Sequence, residues 1–301
     1  MRLLIGVFHD GLLRRLYSCR HSTRLGCSLH KTGKLEPDSI DESLRVLNHF
    51  REKYDEFGVV QSRAVGTSAL REAADAGEFL GEAERLAGIH IDVISGEEEA
   101  RLTAEGVMGG ATAPRSLIFD IGGGSTEWIA AGPIVKLASL PLGALRLTGQ
   151  FFSGPTPPTP AQISELRKNI NIVLEGSLLG AFSIDEISNM DVHLTGGSPT
   201  ALAAMKIGLS AYQGDAVHGT RLEKDEVNRM FDSFSHATRE QLAAIPIIGP
   251  QRADLIVAGT AIVYGILLRT NHSYATVSDR GLLEGLLLRM RDIAPFPNEA
   301  L

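Results

Sequence analysis

The first 26 residues open with an apolar run, Leu3–Phe8, pass a His-Asp-Gly turn signal and continue through a second stretch that mixes leucine with arginine. This pattern predicts two strands, 2–8 and 11–17, joined by a tight turn at His9-Asp10-Gly11, with a third extended segment reaching Leu25. The pattern then changes. Ile40, Leu44, Leu47, Phe50, Tyr54 and Phe57 recur three and four apart, which predicts one helical face, opened by a Ser39/Glu42 capping box after Pro37 and closed at Gly58. A short strand at 62–65 and a helix over 69–87, capped at Thr67-Ser68, follow. Ile89, Ile91 and Val93 then alternate as a strand. Ser95, with Glu98 in the reciprocal box position, caps the helix that opens GEEEAR.

Past a break at 109–114 the order restarts: an apolar strand at 117–121, a glycine loop at 122–126, strands at 127–131 and 134–140 around a Gly132-Pro133 turn. Residues 2–26 and 127–149 share one pattern of strand, short turn, strand and a stretch ending Leu-Gly or Thr-Gly. They predict a duplicated hairpin unit opening two α/β domains, 1–112 and 113–301, with the last helix able to pack back on the first. The second hairpin is preceded by a strand and a glycine loop, and the first has no such strand before it. A proline-rich loop at 153–160 and helices at 161–180 and 222–244 complete the pattern. The apolar stretch 254–269, with Gly259 and Gly265, falls short of the roughly 20 residues a bilayer requires, so it predicts a buried helix and no membrane partner.

Composition changes this picture in two places. A net charge of −7 gives no global positive field for nucleic acid, so a polyanionic ligand needs a local basic site. One candidate lies between Gly11 and Leu35, which hold no acid but carry Arg14, Arg15, Arg20, Arg24, Lys31 and Lys34; the strip reads equally as a polyanion rail or as a solvated strand face. Cys19 and Cys27, too few for a disulfide scaffold and without CxxC spacing, fit a reducing cytosol and a cytoplasmic protein.

Three glycine- or acid-rich segments carry chemistry. In Asp120-Ile-Gly-Gly-Gly-Ser-Thr-Glu127 a carboxylate ends a strand and Gly122, Gly123 and Gly124 expose backbone N–H groups. Ser125 and Thr126 add hydroxyls, and Asp120 and Glu127 flank the loop as oxygen ligands suited to Mg²⁺ or Mn²⁺. The segment lacks the Lys-Ser/Thr of a P-loop and the third glycine of a dinucleotide fingerprint. Thr195-Gly-Gly-Ser-Pro-Thr200 aims the amides of Gly196, Gly197 and Ser198 at an anion from a helix N-terminus, or is simply a tight strand-to-helix turn. In GEEEAR, Glu97 and Glu98 read as complements of the helix dipole.

Together TSALREA (67–73), ISGEEEAR (94–101), DIGGGSTE (120–127), TGGSPTA (195–201) and SDRGLLEGLL (278–287) make the chain resemble the exopolyphosphatase / guanosine pentaphosphate phosphohydrolase (Ppx/GppA) family across nearly its whole length. The resemblance implies a hydrolase with two ribonuclease-H-like domains of the actin / sugar-kinase type and an active-site cleft between them, in a short form without a C-terminal helical domain. It implies Glu99 as the base that activates water, Arg71 on the phosphate, Asp120 and Glu127 on a divalent metal, and 122–126 as the phosphate loop. Arg20 and Arg24 join the substrate-binding set from the basic strip. The substrate implied is inorganic polyphosphate or pppGpp, and a homodimer is a common family outcome.

The chain departs from the family where a first Asp-x-Gly phosphate loop and its strand should precede Met1-Arg-Leu-Leu-Ile. The expectation is a first domain without its first strand, from a misassigned start or a degenerate relative. The alternative function is therefore a non-catalytic phosphate- or nucleotide-binding regulator. A kinase of the same superfamily is a third reading, against which GEEEAR and TSALREA speak.

Overall fold

The computed structural model describes residues 1–109, 115–131, 136–152 and 157–293. The turn expected at Gly132-Pro133 and part of the proline-rich loop lie outside them. The chain divides into two units, residues 1–102 with the segment from Leu282, and residues 103–281. The division falls inside a helix rather than at the 109–114 break.

In the first unit β1 (Arg2–His9) and β2 (Leu12–Arg20) form the expected hairpin. The third extended segment does not form. The chain instead turns into a short helix, α1 (Leu29–Thr32), which leads to α2 (Pro37–Glu56). Pro37 sits at the first helical position, where its missing N–H costs nothing, so Glu36 rather than Ser39 is the N-cap and the predicted capping box is not made. After β3 (Ala64–Gly66) the single helix expected over 69–87 is broken into α3 (Ser68–Glu72) and α4 (Ala76–Ala87). The break has a local cause. The Ala74 amide donates to the Gly33 carbonyl and the Asp75 carboxylate accepts from the Leu35 amide, and both hold the chain out of helical register. β4 (Ile91–Val93) pairs parallel with β3, and α5 (Gly96–Met108) follows.

The second unit is built on a six-stranded sheet of order β7-β6-β5-β8-β10-β9. Its strands are β5 (Ser116–Ile121), β6 (Thr126–Ala131), β7 (Lys136–Leu140), β8 (Asp191–Gly196), β9 (Arg221–Glu223) and β10 (Tyr274–Val277). Between β7 and β8 run α6 (Ala144–Phe151), α7 (Pro160–Ala181) and α8 (Ile184–Ser188), and after β8 come α9 (Gly197–Lys206) and α10 (Gly214–Val217). The helix expected over 222–244 is an edge strand, β9, then α11 (Lys224–Ser235) and α12 (Arg239–Ala243). α13 (Gly249–Arg252) and α14 (Ile256–Arg269) precede β10. α14 is the buried helix expected from 254–269, and Gly265 lets it close on Ile170 of α7. Among the described residues no helix is long and apolar enough to cross a membrane. The last helix, α15 (Leu282–Ile293), belongs to the first unit.

The two units repeat one plan with one difference. In the second, β6 and β7 form an antiparallel hairpin, β8 and β10 a parallel pair, and β5 joins them, antiparallel to β6 and parallel to β8. In the first, the hairpin β1-β2 and the parallel pair β3-β4 are separate two-stranded sheets. They cover one core: Leu3 and Ile5 from β1 and Ala64 and Ile91 from the parallel pair meet Leu44, Leu47, Phe50 and Phe79. Among the described residues no strand joins the hairpin to the parallel pair.

Candidate active site

One lateral row of the second sheet is polar at its end. Register pairing sets Ser139 of β7, Glu127 of β6, Asp120 of β5 and Thr195 of β8 side by side. Residues directly opposite in a sheet point to the same face. The next row on that face, Leu137, Ile129, Ile118 and His193, is largely apolar. The polar row lies at the carboxyl ends of the parallel strands β5 and β8, where open α/β sheets bind ligands.

Glu127 is buried at 4% exposure and keeps its carboxylate there through two donors. Ser125 Oγ and Ser139 Oγ both donate to its Oε1, at 2.6 and 2.7 Å. Oε2 takes no hydrogen bond from the described residues. Asp120, half-buried, lies beside it and against Gly196. Magnesium commonly uses one or two carboxylates and completes its octahedron with water and substrate phosphates. Asp120 and Glu127 fit that demand, although no group of three or more acidic, His or Cys side chains suited to a metal occurs among the described residues.

The glycine loop is a turn closed by the Gly122 amide donating to the Ser125 carbonyl, at 2.9 Å. Its carbonyls are drawn away by the start of α6. Ala144 N–H donates to Gly122 O, and Leu145 and Arg146 N–H donate to Gly123 O, at 2.9–3.1 Å. Arg146 Nε donates to Gly124 O at 2.7 Å. With these negative ends committed to α6, the Gly123 and Gly124 amides have no acceptor among the described residues, and Gly123 is exposed. This is the polarity an anion requires. The approach depends on Gly143, because a Cβ there would overlap the Gly123 and Gly124 backbone.

Both hydroxyls expected at the phosphate, Ser125 and Thr126, donate within the protein instead, Ser125 to Glu127 as above. Thr126, fully buried and the first residue of β6, donates to the Leu142 carbonyl. Ser198 Oγ lies against Gly259 of α14. Gly196 and Gly197 stand as expected at the β8–α9 junction. Gly196 has φ +101°, which only glycine adopts readily, and its carbonyl accepts from Thr200 Oγ1 at 2.7 Å.

The first unit brings Glu99 and Arg71 together. Glu99 lies in the first turn of α5 and Arg71 in α3, and Arg71 Nη1 meets Glu99 Oε2 at 2.8 Å. The same nitrogen donates to the Ile94 carbonyl at 2.9 Å, which fixes the guanidinium to the turn entering α5. Along β2 exposure alternates, so Arg14 and Arg20 share the exposed face, and Arg24 is exposed beyond the strand. Arg15 falls on the other face and pairs with Glu284 of α15 at 2.7 Å, which removes it from the rail. The side chain of Lys31 lies outside the described residues.

Ser139, Gly143 and Arg146 escaped the sequence reading. Ser139 lay one residue out of reach: strands 127–131 and 134–140 joined by a two-residue turn would set Ala138 opposite Glu127, whereas the observed register sets Ser139 there. Nothing in local pattern signals that Gly143 and Arg146 lock the glycine loop.

The sequence profile of the Ppx/GppA phosphatase family matches residues 5–293. Exopolyphosphatase 2 of Mycobacterium tuberculosis is 31% identical over 309 aligned positions, covering 96% of this chain and 95% of that protein. A guanosine-5'-triphosphate,3'-diphosphate pyrophosphatase of Vibrio cholerae is 28% identical, covering 93% of this chain and 55% of the relative. The solved structure of the Aquifex aeolicus Ppx/GppA enzyme superposes with a TM-score of 0.79 at 31% identity, over 96% of this chain and 95% of that one.

Proposed function

Because the chain belongs to the Ppx/GppA phosphatase family, we propose that it hydrolyses the terminal phosphoanhydride bond of inorganic polyphosphate or of a guanosine polyphosphate. The observation that carries this reading is the polar row: Asp120 and Glu127 side by side at the root of a glycine turn whose carbonyls are tied back. Phosphoryl transfer asks the protein mainly for positioning and for charge on the transferred group. Gly123 and Gly124 amides hold the phosphate, and Asp120 and Glu127 hold Mg²⁺ or Mn²⁺, which when bound neutralises charge on the phosphate oxygens. Glu99 orients the attacking water and takes its proton, and Arg71 puts positive charge on the phosphate while its Nη1 also holds the Glu99 carboxylate at Oε2.

Phosphate release from polyphosphate, without an added acceptor, tests the reading and separates it from a kinase. Glu99→Gln lowers kcat by roughly 10²–10⁴-fold if Glu99 is the base, and a chelator abolishes turnover. Full turnover in that variant, or under chelation, removes the respective role. The binding-only alternative predicts substrate binding by the unaltered chain with no phosphate release.

A further inference from the structure

Glu98 and Glu99 are successive residues of the first turn of α5, about 100° apart around the helix axis. They are held by different elements. Glu99 takes Arg71 of α3, and Glu98 takes Arg289 of α15, Oε1 to Nη1 at 2.6 Å.

The Glu98–Arg289 pair is part of a docked helix pair. Leu102 lies four residues after Glu98, and Gly285 lies four before Arg289. A Cβ on Gly285 would overlap the Leu102 carbonyl, so the two backbones touch one turn from the ion pair. Matched offsets of opposite sign mean that α15 runs antiparallel to α5. Ile94, Leu102 and Leu286 are buried together, with Leu282 and Leu283 packed on them. On its other side α15 is anchored by Glu284, 7% exposed and paired with Arg15 of β2. Arg289 is therefore presented to Glu98 from a fixed platform, unlike a surface pair between two mobile side chains.

We propose that Arg289 is a positioning residue for Glu99, acting by sequestering Glu98. Two adjacent carboxylates and one guanidinium at the entry to α5 make a contest: Arg offers five donors in a rigid fork and accepts either acid. Arg289 draws the Glu98 carboxylate onto α15 and leaves Arg71 to Glu99. With Arg289 gone, Glu98 competes for Arg71, and Glu99 loses the contact that sets its carboxylate. This rests on the reading of Glu99 as the base, and Arg289 itself touches no substrate.

The test is phosphate release from long-chain polyphosphate by the full chain, with kcat and KM separated and the melting temperature recorded for each variant. Arg289→Met keeps the aliphatic stem and removes the charge; it is expected to lower kcat roughly 10- to 100-fold with little change in KM. Glu98→Gln removes the rival and is expected to leave kcat unchanged. The combined Glu98→Gln, Arg289→Met chain is expected to recover most of the lost kcat. A tie that merely holds α15 in place predicts the opposite: Glu98→Gln as impaired as Arg289→Met, and no recovery in the double variant. Either of those results, or Arg289→Met at full kcat, overturns the proposal. If Arg289→Met fails to fold, the Glu98→Gln outcome still decides. Glu99→Gln assayed alongside separates the two levels: full turnover there removes the base and this inference with it. A large loss in Glu99→Gln with none in Arg289→Met sinks the inference alone.

Discussion

Gly196 leaves no room for a side chain beside Asp120. A Cβ at Gly196 would stand 3.0 Å from an Asp120 carboxylate oxygen and would overlap the Ile121 carbonyl. The backbone there, at φ +101°, is also closed to other residues. Gly196→Ala is expected to cost about 1–3 kcal/mol of stability from the backbone alone and to displace Asp120, so that turnover falls further than stability explains. Denaturant midpoints and steady-state rates check this; an alanine variant with normal values for both contradicts it.

Ser139 shares Glu127 Oε1 with Ser125. Outer partners of a metal-binding carboxylate typically matter 10–100-fold for affinity or activity, and Ser139→Ala is expected to weaken divalent binding by roughly that factor. Mn²⁺ binding followed by electron paramagnetic resonance reads it without turnover. A wild-type Mn²⁺ titration would leave Ser139 a packing residue only.

Arg14 and Arg20 share the exposed face of β2, and Arg24 follows it. If this strip guides a long polyanion, replacing all three with Gln raises KM for long polyphosphate more than for tripolyphosphate. The difference shrinks as salt rises, because exposed charges are screened. An equal effect at both lengths identifies a solvated face.

His193 lies on β8 in the row below Thr195. Desolvation, only partly opposed by Asp191, lowers its pKa below the ordinary 6.5. A base whose folded-state pKa is depressed takes up its proton later in the folded chain than in the unfolded one. Below about pH 6.5 the unfolded state therefore binds more protons, and stability falls as pH drops toward the folded pKa. His193→Gln should flatten the acid side of a melting-temperature profile. An unchanged acid slope means that other groups carry it.

In the second unit β5, β6 and β7 were legible as short apolar runs and α7 and α14 from their apolar patterns, whereas β10 and α6 were not read. The errors fell where distant groups outbid local pattern. Asp75 and Ala74 gave their polar groups to the Leu35 and Gly33 backbone and broke a helix; Arg221–Glu223 became an edge strand because Tyr274–Thr276 offered a ladder. The acid–glycine–acid core of the site was visible as sequence. The ties that shape it, from Ser139, Arg146 and Gly143, join residues 12 to 22 positions apart and leave no local signature.

The split sheet gives the two halves unequal endurance. A lone two-stranded ladder is marginal in water, and the first unit owns two of them, held chiefly by side chains packed on α2 and α4. Amides of β1 and β3 should exchange with deuterium well before those of β5 and β8, and warming should loosen residues 1–102 together with α15 as a separate cooperative block. Glu99 and Arg71 reside in that block. Heat inactivation should therefore run ahead of the collapse of the six-stranded half, and the temperature at which hydrolysis fails would report the melting of the smaller sheets alone.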